Sequence, residues 1–401
     1  MSTRTSPEVI YVGSFVFPDG DAGATRVVGM GKALREAGFS VLVAGTERRG
    51  RPEDRQANGQ FVYQGFPYLP EKDQGDTRLS RLKRAWLTHL SGSTTMQRLG
   101  SMDLSGTRAI IAYHPFALLL WRLERFCRKR QITLIADCTE WYDPWHRFAG
   151  LMAWDSELRM RWLQPKIGRV IAISSFLERY YRACGCSVLR VPPLIDMDER
   201  VKVQVEHATR GENVLRLVYA GMPAKKDLLG NAILGLRELR SSGFPVVLDV
   251  VGPSRQHVAA YVPGGARLLH ELGSGIVCHG RVAHQVALGL VAQADFSILL
   301  RPDERHAHAG FPSKLVESLS LGVPIITNVT SDIAQYVRDG KEGILLEDGS
   351  AEAFVAGVKR VLDMPREQWR AMRPNAGRRA RDSFDYRQYV QPLREFLEQA
   401  R

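Results

Sequence analysis

The stretch Phe296-Ser-Ile-Leu-Leu-Arg301-Pro-Asp-Glu-Arg-His306-Ala-His308-Ala309-Gly-Phe-Pro-Ser313-Lys-Leu-Val-Glu317-Ser-Leu-Ser-Leu-Gly322-Val-Pro324-Ile-Ile decides the fold. Five residues, four of them apolar, make a strand buried on both faces, and a polar loop follows. Apolar positions at helical spacing then run from Ser313 to a glycine stop, and a second apolar strand begins after Pro324. A strand, a helix and a strand in that order form a right-handed crossover between parallel neighbours. The fold class predicted here is therefore α/β with a doubly wound sheet.

The same rhythm extends in both directions. Towards the C-terminus comes Gly343-Ile-Leu-Leu; towards the N-terminus come Leu215-Arg-Leu-Val-Tyr-Ala, a helix over 228–239, Val246-Val-Leu-Asp-Val-Val and Gly275-Ile-Val-Cys. Residues 196–213 are polar and charged, marking a linker. Before it, Val9-Ile-Tyr-Val, Val41-Leu-Val-Ala, Ala109-Ile-Ile-Ala, Leu134-Ile-Ala and Val170-Ile-Ala-Ile read as a second set of strands, with a helix over 25–37 that stops at Gly38. A chain of 401 residues exceeds one ordinary core. Two Rossmann-like doubly wound domains are expected: residues 1–200, a linker at 201–213, residues 214–380, and a terminal helix at 381–401 packing back on the first domain. Ligands of such sheets bind outside the carboxyl ends of the strands, so the cleft between two of them is the expected active site.

Composition narrows the classes. Hydrophobic content of 44% and charged content of 24% are those of an ordinary globular protein. Five cysteines, without a CxxC pair or Cys/His ligand spacing, oppose a disulfide framework or a zinc site. No signal-peptide pattern and no spanning apolar run is present, which leads to the expectation of a cytoplasmic protein. Net charge is +12, with 29 Lys/Arg against 21 Asp/Glu in residues 1–200 and 26 against 22 in the rest. That suits anionic partners, yet no nucleic-acid module accompanies it, so nucleic acid is not expected. Arg78-Leu-Ser-Arg-Leu-Lys-Arg-Ala-Trp86-Leu-Thr-His-Leu90 is a basic amphipathic stretch suited either to packing on the first domain or to peripheral contact with the inner face of a cell membrane.

Chemistry is expected in the loops after strands. A helix starting near Ser313 aims its free N–H groups at the cleft and suits a diphosphate, while Glu317, about one turn in, suits two ribose hydroxyls. Tyr219-Ala-Gly221-Met222-Pro-Ala-Lys225-Lys226-Asp227 places two lysines after a strand, where they can neutralise a departing pyrophosphate. Gly252-Pro-Ser-Arg and His279-Gly280-Arg281-Val282 end strands; Gly20-Asp-Ala-Gly23-Ala-Thr-Arg26 opens a helix with glycines that admit close backbone approach, though not with the GxGxxG spacing of a dinucleotide fingerprint. For an acceptor hydroxyl, Glu140 and then Asp137 are the candidates, in Asp137-Cys-Thr-Glu140-Trp-Tyr-Asp143, beside Tyr113-His114. Each of these acids is equally readable as a helix cap or a buried structural group. No cluster of acids resembling Asp-x-Asp follows a strand, so no metal is expected.

The 309–326 stretch resembles the donor-site motif of family 4 retaining glycosyltransferases of the GT-B fold, within group 1 glycosyl transferases. That motif reads Glu-x7-Glu followed by Gly-x-Pro. The resemblance sets its second Glu on Glu317 and its Gly-Phe on Gly310-Phe311, with Pro312, Ser313 and Lys314 between them and the helix. Its first Glu, which in the family contacts the donor sugar, falls on Ala309, with His306 and His308 nearby as substitutes. The loop after residue 220 resembles the family's Gly-Arg-x3-Lys, with Gly221 and Lys226 matching and Met222 in the arginine's place; Lys225, Arg281 or Arg301 are the compensating cations. Gly252 and Arg281 fall in loops resembling those that frame the nucleotide base. The resemblance implies transfer of a sugar from a nucleoside-diphosphate sugar, as co-substrate and with no cofactor, to a saccharide or lipid-linked saccharide with retention. A non-catalytic donor-binding or scaffold subunit, or an epimerase of the same fold, are the alternatives.

Overall fold

A computed structural model describes residues 6–18, 21–45, 50–70, 92–142, 150–201, 214–223, 227–262 and 264–399. Lys225, Lys226, Asp143, Gly20 and the basic stretch 78–90 lie outside the described residues, as does the expected linker from 202 onwards. The chain divides into two compact units: Met1–Leu194 with Ala309–Phe311 and Tyr386–Arg401, and Ile195–His308 with Pro312–Asp385.

Among the described residues the first unit holds eight strands: β1 (Val9–Gly13), β2 (Val41–Ala44), β3 (Phe61–Tyr63), β4 (Phe66–Tyr68), β5 (Ala109–Tyr113), β6 (Thr133–Cys138), β7 (Arg169–Ala172) and β8 (Ser187–Arg190). Their order is β3-β4-β2-β1-β5-β6-β7-β8, parallel except for the β3–β4 hairpin at the edge. The unbroken apolar strands follow from burial on both faces. Val9 and Tyr11 face one layer, containing Val27, Met30 and Leu34 of helix Ala22–Glu36 and Leu393 and Phe396 of helix Val390–Glu398. Ile10 and Val12 face Leu119, Leu120 and Leu123 of helix Ala117–Arg130. The terminal helix is tied down by Arg394, whose Nε donates to the Ala37 carbonyl at 3.0 Å, and by Arg169, which donates to the Gln399 carbonyl at 3.1 Å.

The second unit holds β9 (Leu215–Ala220), β10 (Val246–Val251), β11 (Ile276–Gly280), β12 (Phe296–Leu299), β13 (Ile325–Asn328) and β14 (Gly343–Leu346). All pair in parallel, in the order β11-β10-β9-β12-β13-β14. Counted from β9 this is 3-2-1-4-5-6, the dinucleotide-fold order. Ile233, Leu236, Phe354 and Val358 cover one face and Val291 and Val323 the other.

Unit boundaries differ from the expected residues 200 and 380. Ile195 N–H donates to the Phe384 carbonyl at 2.9 Å, and Met197 N–H to Asp385 at 3.4 Å, so residues 195–197 are fastened to the second unit. The single terminal helix expected over 381–401 is instead the end of helix Met372–Phe384, an extended Asp385, a 3-10 turn at Tyr386–Tyr389 and helix Val390–Glu398. The five cysteines are unpaired.

Candidate functional site

In the second sheet the winding reverses between β9 and β12. At such a reversal the loops leaving the two strands diverge, and ligands of doubly wound sheets bind outside the carboxyl ends there. Three glycines step across that rim: Gly221 after β9, Gly252 after β10 and Gly280 at the end of β11, with φ of +117°, +118° and +65°. Gly221 N–H donates to the Val251 carbonyl at 2.8 Å, and Gly252 N–H to the Gly280 carbonyl at 2.9 Å. A Cβ on Gly221 would lie 2.7 Å from Cε of Lys314, and one on Gly252 would lie 3.1 Å from the Gly221 backbone. A side chain at either position is strained by the left-handed backbone, and at Gly221 it also displaces Lys314.

Helix Ser313–Ser320 begins after Pro312, and no side chain caps it. Its first amides therefore keep the free donors and positive dipole end that attract an anion. Leu315, Val316 and Leu319 bury its inner side, leaving Ser313 exposed and Glu317 half-exposed one turn further on. Residues four apart share a face, so Ser313 and Glu317 stand together. The Glu317 carboxylate has no hydrogen-bond donor among the described residues.

Lys314 is held in place. Its Nζ lies 2.6 Å from Oδ2 of Asp227 and 5.1 Å from the centroid of the Tyr219 ring. Asp227, with its side chain 5% exposed, also accepts from the Tyr219 hydroxyl at 2.6 Å. Burial, and then the Asp227 charge, push the Tyr219 hydroxyl well above its ordinary pKa, so it remains a donor to Asp227. An ammonium has three donors and Asp227 takes one, which leaves Lys314 able to bind a second anion. Asp227, which fixes Lys314 at this rim, is the residue that sequence reasoning passed over. Its signal was its place in the loop after β9, but nothing in one sequence reveals a partner 87 residues away.

The other cations differ in availability. Arg281 is exposed just past β11. Arg301 is 5% exposed, and its guanidinium donates to the Ala307 carbonyl at 2.9 Å, so it braces its own loop instead of opening to a ligand. His306 lies 3.1 Å from Glu304, and His308 pairs with Asp303, so both histidines already face acids. Met222, in the arginine's place, is exposed, whereas Ala309 is fully buried. Gly310, Phe311 and Pro312 are buried as well.

In the first unit the expected acids separate. Asp137, at the end of β6, is 1% exposed; Arg26 grips it bidentately, with NH2 2.7 Å from Oδ1 and Nε 2.9 Å from Oδ2, and the Tyr11 hydroxyl also donates to it. Burial works against the Arg26 charge, but Asp137 overcomes it and holds the guanidinium pKa above its usual value. Asp137 is thus a structural acid, with no edge free for an acceptor. Glu140 is half-buried and accepts from the Tyr142 hydroxyl. Burial, and then Glu140, raise the Tyr142 pKa, so that hydroxyl stays protonated. Gly23 is buried, and a Cβ there would lie 2.9 Å from the Tyr113 ring; its missing side chain makes room for Tyr113, not for a ligand. The N-terminus of its helix is already occupied by Asp21, which accepts from Ala24 N–H at 2.8 Å.

Among the described residues no group of three or more His, Cys, Asp or Glu could hold a metal ion, and no helix is long and apolar enough to cross a membrane. Residues 215–364 match the family model described as Glycosyl transferases group 1. No curated sequence matches the chain. Among solved structures, sucrose-phosphate synthase from Thermosynechococcus elongatus is similar at 15% identity, covering 97% of this chain and 98% of that one with a TM-score of 0.69. Anabaena HepE in complex with UDP and glucose is similar at 14% identity, covering 98% and 99% with a TM-score of 0.66. WaaG, a glycosyltransferase involved in lipopolysaccharide biosynthesis, is similar at 15% identity, covering 97% and 99% with a TM-score of 0.61. The fold of the whole chain is that of the GT-B glycosyltransferases.

Proposed function

From a GT-B chain whose residues 215–364 carry the group 1 glycosyltransferase match, we propose an enzyme that transfers a sugar from a nucleoside-diphosphate sugar to a saccharide or lipid-linked saccharide. Configuration at the anomeric carbon is retained, and no metal takes part. The observation that carries this reading is the rim of the second sheet: the open end of helix Ser313–Ser320, the tethered Lys314 and the glycine corners meet at its topological switch point.

The diphosphate sits against the amides of Ser313 and Lys314, Gly221 admits it close to the backbone, and Glu317 accepts from the two ribose hydroxyls. As the sugar departs, negative charge grows on the diphosphate, and Lys314 with the helix end stabilises that change. By their place in the sequence, Lys225 and Lys226 add cations to the same loop, Gly252 and Arg281 flank the base, and Gly310, Phe311 and Pro312 set the backbone entering the helix. Glu140, backed by Tyr142, orients the acceptor hydroxyl and takes its proton. UDP-sugars are the first donors to try, since the similar Anabaena structure was solved with UDP.

The test is a thermal-shift panel of UDP-, GDP-, ADP- and TDP-sugars, followed by transfer assays with labelled donor. One donor raises the melting point and turns over with an acceptor; a chain that binds none of them is not a glycosyltransferase. Ala309 and Met222, standing where the family has an acid and an arginine, favour one second reading, a donor-binding subunit without turnover. It predicts the same thermal shift with no product across the acceptor panel.

A further inference from the structure

A parallel sheet is normally covered on both faces, and one corner of the second sheet is not. Helix His284–Ala292 packs Val291 over Val218 and Val251, which covers the carboxyl halves of β9 and β10. On that same face the strand register sets Arg216 beside Val247, Val218 beside Asp249, and Asp249 beside Val277 of β11. Among the described residues the amino halves stay open, as a hollow of about 350 Å³. The rim glycines stand at the opposite, carboxyl ends of these strands, so the hollow is a separate place.

Val214, Val247 and Val277 line it with apolar surface, and Val277 is 41% exposed. Among them stands Asp249, the one polar residue of the strand Val246–Val251. A carboxylate inside a parallel sheet is costly unless its oxygens are paired. Oδ1 accepts from His279 Nε2 at 2.7 Å, but Oδ2 has only Arg216 Nη1 at 3.5 Å, the outer limit of a hydrogen bond. A guanidinium carries five donors in a fork, and the rest of those on Arg216 have no partner among the described residues. Its side chain is 31% exposed at the edge of the hollow.

Opposite charges side by side select what can enter. A simple anion meets Asp249, a simple cation meets Arg216, and a wholly apolar molecule strips water from both without replacing it. A zwitterion matches the pair: its carboxylate takes the Arg216 fork, its ammonium takes Asp249 Oδ2, and an apolar body lies on the valines. The volume sits near the small end of the range of about 300–1,000 Å³ for ligand pockets. We propose that this hollow binds a free α-amino acid with an apolar side chain. The inference stands independently of the transfer reaction.

The experiment titrates leucine into the full chain by calorimetry. Isocaproate, which is leucine without its ammonium, isoamylamine, which lacks the carboxylate, and glycine, which lacks the side chain, are the comparisons. Leucine binds, and each of the other three binds roughly 10- to 100-fold more weakly. Arg216→Met weakens leucine by roughly the same factor. Val277→Trp fills the hollow from an exposed position and abolishes binding, with the melting curve unchanged. Three outcomes overturn the proposal. Wild type binds no leucine up to its solubility limit; or leucine binding survives both substitutions, which puts it elsewhere in the chain; or isocaproate or isoamylamine binds as tightly as leucine, so that a single charge suffices.

Discussion

Gly221→Ala probes the rim through a single methyl group. At φ +117° an alanine is strained by about 1–3 kcal/mol. Its Cβ would also lie 2.7 Å from Cε of Lys314, well inside contact distance. A lysine tip moves aside cheaply, but doing so breaks the 2.6 Å pair with Asp227 and leaves that carboxylate, 5% exposed, with Tyr219 as its remaining described donor. That loss adds about 1–3 kcal/mol. Gly243→Ala is the control: its φ is +83°, and nothing lies within 4 Å of the added methyl, so only backbone strain is introduced. Urea unfolding of the two variants should therefore differ by the Lys314 contribution, with Gly221→Ala the less stable by about 1–3 kcal/mol. Nucleotide-sugar affinity, measured by titration, should fall in Gly221→Ala and stay unchanged in Gly243→Ala. Equal stability of the two variants, together with undiminished binding by Gly221→Ala, would refute both the tether and its place in the site.

Glu317→Gln removes a half-exposed charge and should lower donor affinity about 10- to 100-fold by losing charge-assisted bonds to ribose, while the ligand-free melting curve stays put; calorimetric titration reads it. Asp137→Asn strands the buried Arg26 guanidinium and should cost about 3–5 kcal/mol in urea unfolding, most of it recovered in Asp137→Leu/Arg26→Met. Burial alone would raise the Glu342 pKa, but the hydrogen bonds and charge of Arg338, with Arg379, hold it below the usual carboxylate range. Its stabilisation is therefore complete above the unfolded carboxylate pKa and fades as pH falls through the lower folded value. Glu342→Gln should flatten that acid limb in pH-dependent unfolding.

The second unit was legible in the sequence because its strands are buried on both faces and read as unbroken apolar runs, as Val246–Val251 does. Its rim was legible for a related reason. A helix end and a left-handed glycine are local features, and Ser313 and Gly221 carry their own signals. β3, β4 and β8 were not anticipated: the first two are three-residue edge strands, one of them containing Pro67, and Ser187–Arg190 carries polar residues at both ends. The pairing of Lys314 with Asp227 was hidden for a different reason, because it joins loops that only the parallel sheet order brings together.

Asp137 and Glu140 show where sequence reasoning about an acid reaches its limit, and how it can be extended. One ends β6 and the other lies just beyond it, and in isolation a carboxylate that meets solvent looks like one that is sealed inside. The difference lies 111 residues away in Arg26, which sits beside Val27 and one turn before Met30 on the inward side of its helix. A guanidinium on a buried helical face is too costly to leave unpaired, so its presence requires an internal acid. The first helix covers β1, and β1 pairs with β5 and β5 with β6. An acid at the carboxyl end of β6 is therefore within reach of Arg26, whereas Glu140, beyond the strand, is not held by it. The cation on the apolar stripe is what identifies Asp137 as structural, and that leaves Glu140 as the acid on which the proposed acceptor role rests.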